Sequence, residues 1–197
     1  MPVNIHPAAL LLAALLAHST HAAPAAQSRQ SALDAATAAY QKEDYKTAMR
    51  LLKPLAERGD ALAQVNVATL YQDGLGVPVN PAEAFKWYQK AARQGHPEAQ
   101  FMLGFDYSEG IGTAQNYEQA VYWYAKAAAQ GHAEAQNNLA ARYATGTGVK
   151  QNIATAKYWY AKAAAQGNDS ARRTLAGLEE RFRSASEPAA APAPAKP

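Results

Sequence analysis

The chain has 197 residues, no cysteine and a formal net charge of +3. The missing cysteine excludes disulfide staples, thiolate metal sites, a cysteine nucleophile and a lipid-modified N-terminal cysteine. Lys and Arg are too few and too dispersed over the predicted faces to direct the chain to nucleic acid. The apolar 49% is rich in alanine and thin in Leu, Ile, Val and Phe, a usage that suits closely packed helices better than a conventional core.

The first segment, MPVNIHPAALLLAALLAHSTHAAPAAQ, carries an apolar run from Ala8 to Ala17 followed by small residues at Ala22, Ala23 and Ala25. That is the shape of a secretory signal peptide, although its leading residues lack the usual Lys or Arg. The run is too short to cross a bilayer, which takes about 20 residues. Residues 1–22 therefore read as a cleavable signal peptide, processed near Ala22 or Ala23. The mature chain is expected to be periplasmic or secreted, with no stable membrane span.

Beyond it the chain repeats itself. Trp87, Trp123 and Trp159 stand 36 residues apart, as do Tyr71, Tyr107 and Tyr143, and Gly95, Gly131 and Gly167. A fixed period of this size marks a stacked repeat architecture. The repeat region spans 28–183: a degenerate N-terminal unit over 28–59, full units over 60–95, 96–131 and 132–167, and a partial unit over 168–183. Atypical end units are expected, because each lacks a neighbour on one side.

Each full unit divides into two predicted helices. The first starts after a glycine, at Asp60, His96 or His132, with Asn168 opening the partial unit. Asp and Asn are good N-caps, histidine is a weaker one, and Pro97 occupies the first helical position without cost. Gly74-Leu75-Gly76, Gly110-Ile111-Gly112 and Gly146-Thr147-Gly148 end this helix and turn the chain. Asn80, Asn116 and Asn152 cap the second helix, and Asn80-Pro81-Ala82-Glu83 is a capping box. The result is helix–turn–helix, and stacking such units makes an α-solenoid. From residue 184 the Ala/Pro-rich sequence SASEPAAAPAPAKP reads as a disordered tail over 184–197.

The recurring positions of the first helix, for example Ala99, Gln100, Leu103, Gly104 and Tyr107, lie on one face. Those of the second, Ala120, Trp123, Tyr124, Ala127 and Ala128, do likewise. Identical chemistry at every step is what stacking requires, so these are packing positions. The varying positions of the first helices fall on the opposite face and are expected to line up into one binding surface. Leu62, Val65, Thr69, Glu98, Phe101, Phe105, Glu109, Asn137 and Ala141 are its candidate partner-binding residues. Phe101 and Phe105, one turn apart and bracketed by Glu98 and Glu109, have the make-up of a binding hot spot if exposed; packing beneath the upstream helix or a terminal segment is the competing reading.

The stretches PEAQFMLGFDYSEGIG and YWYAKAAAQG, repeated in register, resemble the Sel-one-like repeat family, a relative of the tetratricopeptide repeat. Asn80, Asn116 and Asn152 replace the usual acidic residue after the turn, one N-cap for another. The resemblance implies an all-α, right-handed solenoid of stacked helix–turn–helix repeats that binds other proteins and is often exported in bacteria. A cysteine-rich, disulfide-stapled branch of the family is not the one this chain resembles.

Catalytic motifs are missing. The sequence holds no Gly-x-Ser-x-Gly elbow, phosphate loop or His-Glu-x-x-His. His96-Pro97-Glu98 and His132-Ala133-Glu134 have the His-x-Glu of zinc deaminases without the Cys pair that must follow, and they stand at helix starts. The Gly-x-Gly pairs follow helices, which makes them turns and not a dinucleotide fingerprint. The expectation is a non-enzymatic adaptor of the cell envelope with a protein or peptide partner, no nucleic acid, and no catalytic residue, cofactor or metal. The alternative is a peptidoglycan- or glycan-binding accessory or cell-wall enzyme.

Overall fold

The computed structural model describes residues 24–186. The expected signal peptide and all but the first residues of the expected tail lie outside the described residues. Within them the chain forms helices and turns only: α1 Pro24–Gln41, α2 Tyr45–Glu57, α3 Ala61–Asp73, α4 Pro81–Arg93, α5 Pro97–Glu109, α6 Tyr117–Ala129, α7 Ala133–Thr145, α8 Ile153–Ala165 and α9 Asp169–Ser186. Each helix packs on the one before it and the one after. Helix α9 runs through Ser186, so helix continues past 184, where the Ala/Pro composition begins.

The helix starts follow from their caps. The side chains of Asp60, Asn80, Asn116, Asn152 and Asn168 each accept a hydrogen bond from the backbone N–H three residues on, at 2.9–3.0 Å, which satisfies one of the open donors of the first turn. His132 caps too, its Nδ1 accepting from Ala135 N at 3.2 Å, whereas His96 makes no such bond. Helices α3, α5 and α7 end on Gly74, Gly110 and Gly146 in the left-handed region.

The second glycine of each turn has a different reason. A Cβ on Gly112 would lie 2.2 Å from the Pro81 carbonyl oxygen, and one on Gly148 would lie 2.4 Å from that of Tyr117. Each turn therefore rests directly on the first residue of the preceding unit's second helix, where only hydrogen fits. The turn is closed from within by Asn N–H to Tyr C=O bonds: Asn80 to Tyr71, Asn116 to Tyr107 and Asn152 to Tyr143, at 2.7–2.9 Å.

The recurring glutamines form a buried polar spine. Gln64, Gln100 and Gln136 donate to the carbonyls of Ala56, Ala92 and Ala128 in the preceding unit at 3.0–3.2 Å. Their Oε1 atoms accept from Gln94, Gln130 and Gln166 of their own unit at 2.7–2.8 Å. A buried amide needs partners, and here one amide ties two units together. Around this spine alanines such as Ala63, Ala99, Ala127 and Ala135 are fully buried, letting helices approach closely. Tyr88 and Tyr124 fill the space between layers at 1% exposure. The tryptophans divide: Trp87 is buried, whereas Trp123 and Trp159 are half-buried.

Candidate functional site: a cleft between α5 and α7

The first helices of successive units meet along one row. His132, the cap of α7, reaches Glu98 on α5 with Nε2 2.9 Å from Oε2. Because its Nδ1 accepts from Ala135, Nε2 carries the proton and donates. The same ring stacks on Phe101 with centroids 4.5 Å apart, and Phe101 also packs against Tyr124 at 6.0 Å.

The structure therefore divides the candidate binding residues. Phe101 is 4% exposed and Val65 2%, so neither is an anchor for a partner. They occupy the same register position, and Phe101 lies beneath the cap of the next unit, against the His132 ring. Variation there reflects how each seam is filled, not what the surface binds. Leu62, Thr69, Glu98 and Asn137 are half-buried. Thr69 is committed inside the fold, its hydroxyl donating to Val65 O and lying 3.1 Å from Tyr88 OH. Asn137 donates to Asn138 at 3.4 Å. Phe105 and Ala141 are half-buried, Glu109 is exposed, and these three are brought together.

They line a cleft of about 310 Å³ between α5 and α7. Phe105 and Ala141 form its apolar walls, and Thr145 and Thr147 its rim. A polar relay crosses it: Arg142 Nη2 donates to Ser108 Oγ, and Ser108 Oγ donates to Glu109 Oε1 at 2.9 Å. The Arg142 guanidinium also lies over the Tyr117 ring, 5.0 Å from its centroid. The floor is Tyr124. Burial pushes its phenol up to about 12, opposed by hydrogen bonds with Asn138 and Ser108 and by the Arg142 charge, so its O–H stays intact at any physiological pH.

Arg142, Asn138 and Tyr124 were not among the residues expected from sequence. Tyr124 recurs among the packing positions and, at 1% exposure, forms the buried floor of the cleft. Arg142 had a legible signal. Its register equivalents are Leu70 and Asp106, so one position runs from apolar to acid to base along the stack. Asp106 is itself unusual: it is 2% exposed, its Oδ1 has no hydrogen-bond partner, and burial raises its carboxyl to about 8. It is held as the neutral acid at pH 7.

The cleft presents an amide-like mixture of donors and acceptors beside an aromatic wall. It supplies one carboxylate, Glu109, where glycoside hydrolysis uses two. Among the described residues no group of three His, Asp or Glu converges as metal ligands, and no helix is long and apolar enough to cross a membrane. A second cleft, of about 490 Å³, lies between the start of α1 and the α2–α3 turn, with the ion pair of Arg29 and Asp60 in its lining.

One expectation about charge needs correction. Lys and Arg are not dispersed over the second helices. Lys86, Lys90 and Arg93 on α4, Lys126 on α6 and Lys162 on α8 share one exposed stripe, against the acids Glu118 and Glu83, the latter paired with Lys86 at 3.2 Å. The period of 36 hides this alignment, because basic residues far apart in sequence stack on neighbouring units.

Consecutively packed helices, a Gly-x-Gly turn seated on the previous unit and a glutamine spine joining units define an all-α solenoid of helix–turn–helix repeats. The Sel1 repeat model matches residues 38–60, 61–96, 97–132 and 133–168, and the chain belongs to the Sel1 repeat family. Two solved structures are similar. One is a protective antigen of uropathogenic Escherichia coli strains displaying an SLR fold, at 38% identity and a TM-score of 0.67 over 68% of this chain and 29% of that one. The other is a Sel1 repeat protein from Oxalobacter formigenes, at 37% identity and a TM-score of 0.68 over 71% of this chain and 58% of that one. The match thus spans less than two thirds of either relative. No match was found among curated proteins. Sel1 repeat proteins are generally non-enzymatic protein-interaction scaffolds.

Proposed function

We propose that this chain is a non-enzymatic adaptor of the bacterial cell envelope that grips a peptide segment of a partner protein in the cleft between α5 and α7. The observation that carries the reading is the meeting, in one cleft, of the half-buried Phe105 wall with the Arg142 guanidinium and the exposed Glu109 carboxylate, joined through Ser108. An extended peptide offers an apolar side chain for the wall and backbone N–H and C=O groups for the relay. Export rests on the apolar segment before Ala22 and is tested by the mass of the mature N-terminus in cells; an intact Met1 counts against it.

The binding reading is tested by selecting peptides on the full chain from a displayed library. Phe105→Ala and Arg142→Gln should each weaken the selected peptides about tenfold or more, the cost of losing one good anchor. Selected peptides that bind both variants as tightly as the parent would place the site elsewhere.

A further inference from the structure

The exposed stripe of the second helices carries an independent inference that does not rest on the cleft. Lys90, Lys126 and Lys162 form a row, one per unit. Each lies over an aromatic ring of its own helix: Lys90 over Trp87 at 3.6 Å, Lys126 over Tyr122 at 5.0 Å and Lys162 over Tyr158 at 5.1 Å. Tyr122 and Tyr158 are the most exposed aromatic side chains among the described residues, at 50% and 54%. Each leans edge-on against the neighbouring Trp123 or Trp159 with centroids 5.0 Å apart. Between them the stripe presents mainly exposed alanines, Ala129, Ala154, Ala161 and Ala165.

This face has cationic heads on apolar stems laid along aromatic rings, with phenol groups between them and little that projects further. Such side chains suit a boundary where one end is wet and the other apolar. The charge repeats with the units instead of converging on a point, which matches an extended anionic plane better than a single anionic group. We infer that the α4–α6–α8 face docks on an anionic lipid surface. The lysines meet headgroup charge and Tyr122 and Tyr158 sit at headgroup depth, so the first-helix cleft faces away from the bilayer.

The test is co-sedimentation of the full chain at low ionic strength with vesicles of phosphatidylglycerol and phosphatidylcholine, against vesicles of phosphatidylcholine alone. The expected result is retention on the anionic vesicles only, falling as salt is raised. Each surface lysine is worth about fivefold in partition, so Lys90→Gln, Lys126→Gln and Lys162→Gln together should lower retention about a hundredfold. A second variant, Tyr122→Ala with Tyr158→Ala, should lower it with the lysines intact, and circular dichroism confirms that both variants keep their helices. Failure to sediment with anionic vesicles overturns the inference. So does equal retention on phosphatidylcholine, which would assign binding to the apolar N-terminal segment. Retention unchanged by the triple variant overturns it as well. Soluble polyglutamate that competes as well as the vesicles do would assign the face to an acidic polymer and overturn the lipid assignment.

Discussion

The second and third units share a backbone plan and differ in how their first helices are filled. Helix α5 buries Phe101, Met102, Asp106 and Ser108 besides its recurring core positions. Helix α7 buries only Ala135, Gln136, Leu139 and Ala140. The register partner of Phe101 is Asn137, and that of Asp106 is Arg142. The same scaffold is therefore filled at one end of the α5–α7 seam, where Phe101 lies under His132, and open at the other, where the large side chains of α5 meet the small and polar ones of α7. The recurring residues hold the stack, and the varying ones decide where it gapes.

The comparison is broken most sharply at Phe101 and Asn137. Truncating a buried Phe costs about 3–5 kcal/mol through lost transfer energy and the cavity left behind. Phe101→Ala should fall in that range, because the ring is clamped between His132 and Tyr124. Asn137→Ala, at the same register position but half-buried, should change stability by about 0.5 kcal/mol or less. Urea unfolding of the two variants checks this. Equal losses would mean that the α7 seam is as tightly packed as the α5 seam.

Asp106 sharpens the same contrast through pH. Its carboxyl titrates near 8 in the fold, where burial disfavours the charge, and near 4 in the unfolded chain. A raised folded-state value means that its contribution is fully present below about pH 4 and is lost as pH rises through about 8. Between these limits the unfolded chain sheds a proton that the fold keeps, so stability should decline with rising pH. Asp106→Asn removes the carboxyl and with it that decline. Asp106→Leu, copying Leu70, should gain about 2 kcal/mol at pH 7, since replacing a buried ionisable group by an apolar one is often stabilising. Stability curves of the parent and Asn variant that run parallel from pH 5 to 9 would contradict this.

Gly104 probes the closed seam from the helix side. Its register partners are Ala68 and Ala140, yet a Cβ here would meet the Tyr124 ring at 2.7 Å. Gly104→Ala should cost about 1–2 kcal/mol, the crowding outweighing the helix propensity gained. Calorimetric melting resolves a loss of that size. A stabilised variant would show that the Tyr124 ring is free to shift toward the cleft.

Much of the fold was legible because its causes are local or periodic. The Asn caps, the Gly-x-Gly turns and the alignment of Trp and Tyr at a constant step give the unit boundaries directly. The candidate site was legible only in part, at Phe105, Glu109 and Ala141. A helical wheel separates recurring from varying faces, but it does not say which varying positions the next unit will cover. Phe101 and Val65 vary, yet both are buried, Phe101 under the following cap. Tyr124 recurs, yet it floors the cleft. The glutamine spine was visible as recurrence without its meaning, because each amide bonds a carbonyl of another unit. The lysine row was missed for a related reason: stacking turns a 36-residue interval into adjacency.

The smallest expected effect separates the two buried tyrosines. The hydroxyl of Tyr88 lies 3.1 Å from that of Thr69, which in turn donates to Val65 O. Tyr88→Phe therefore strips a donor from a closed site and leaves the Thr69 oxygen one partner short, a loss of about 1 kcal/mol. The hydroxyl of Tyr124 is equally buried, but it bonds Asn138 and Ser108, two side chains of the cleft lining. In Tyr124→Phe those side chains keep other partners, Ser108 with Glu109 and Arg142 and Asn138 with Asn137, so the stability change should be about half as large or less. The same variant should nevertheless weaken peptides selected on the cleft, since Asn138 and Ser108 lose the bond that holds them in place beneath it. If Tyr124→Phe destabilises the chain as much as Tyr88→Phe and leaves the selected peptides unaffected, both hydroxyls serve the stack. The open seam would then be a packing variant of the closed one, not a site.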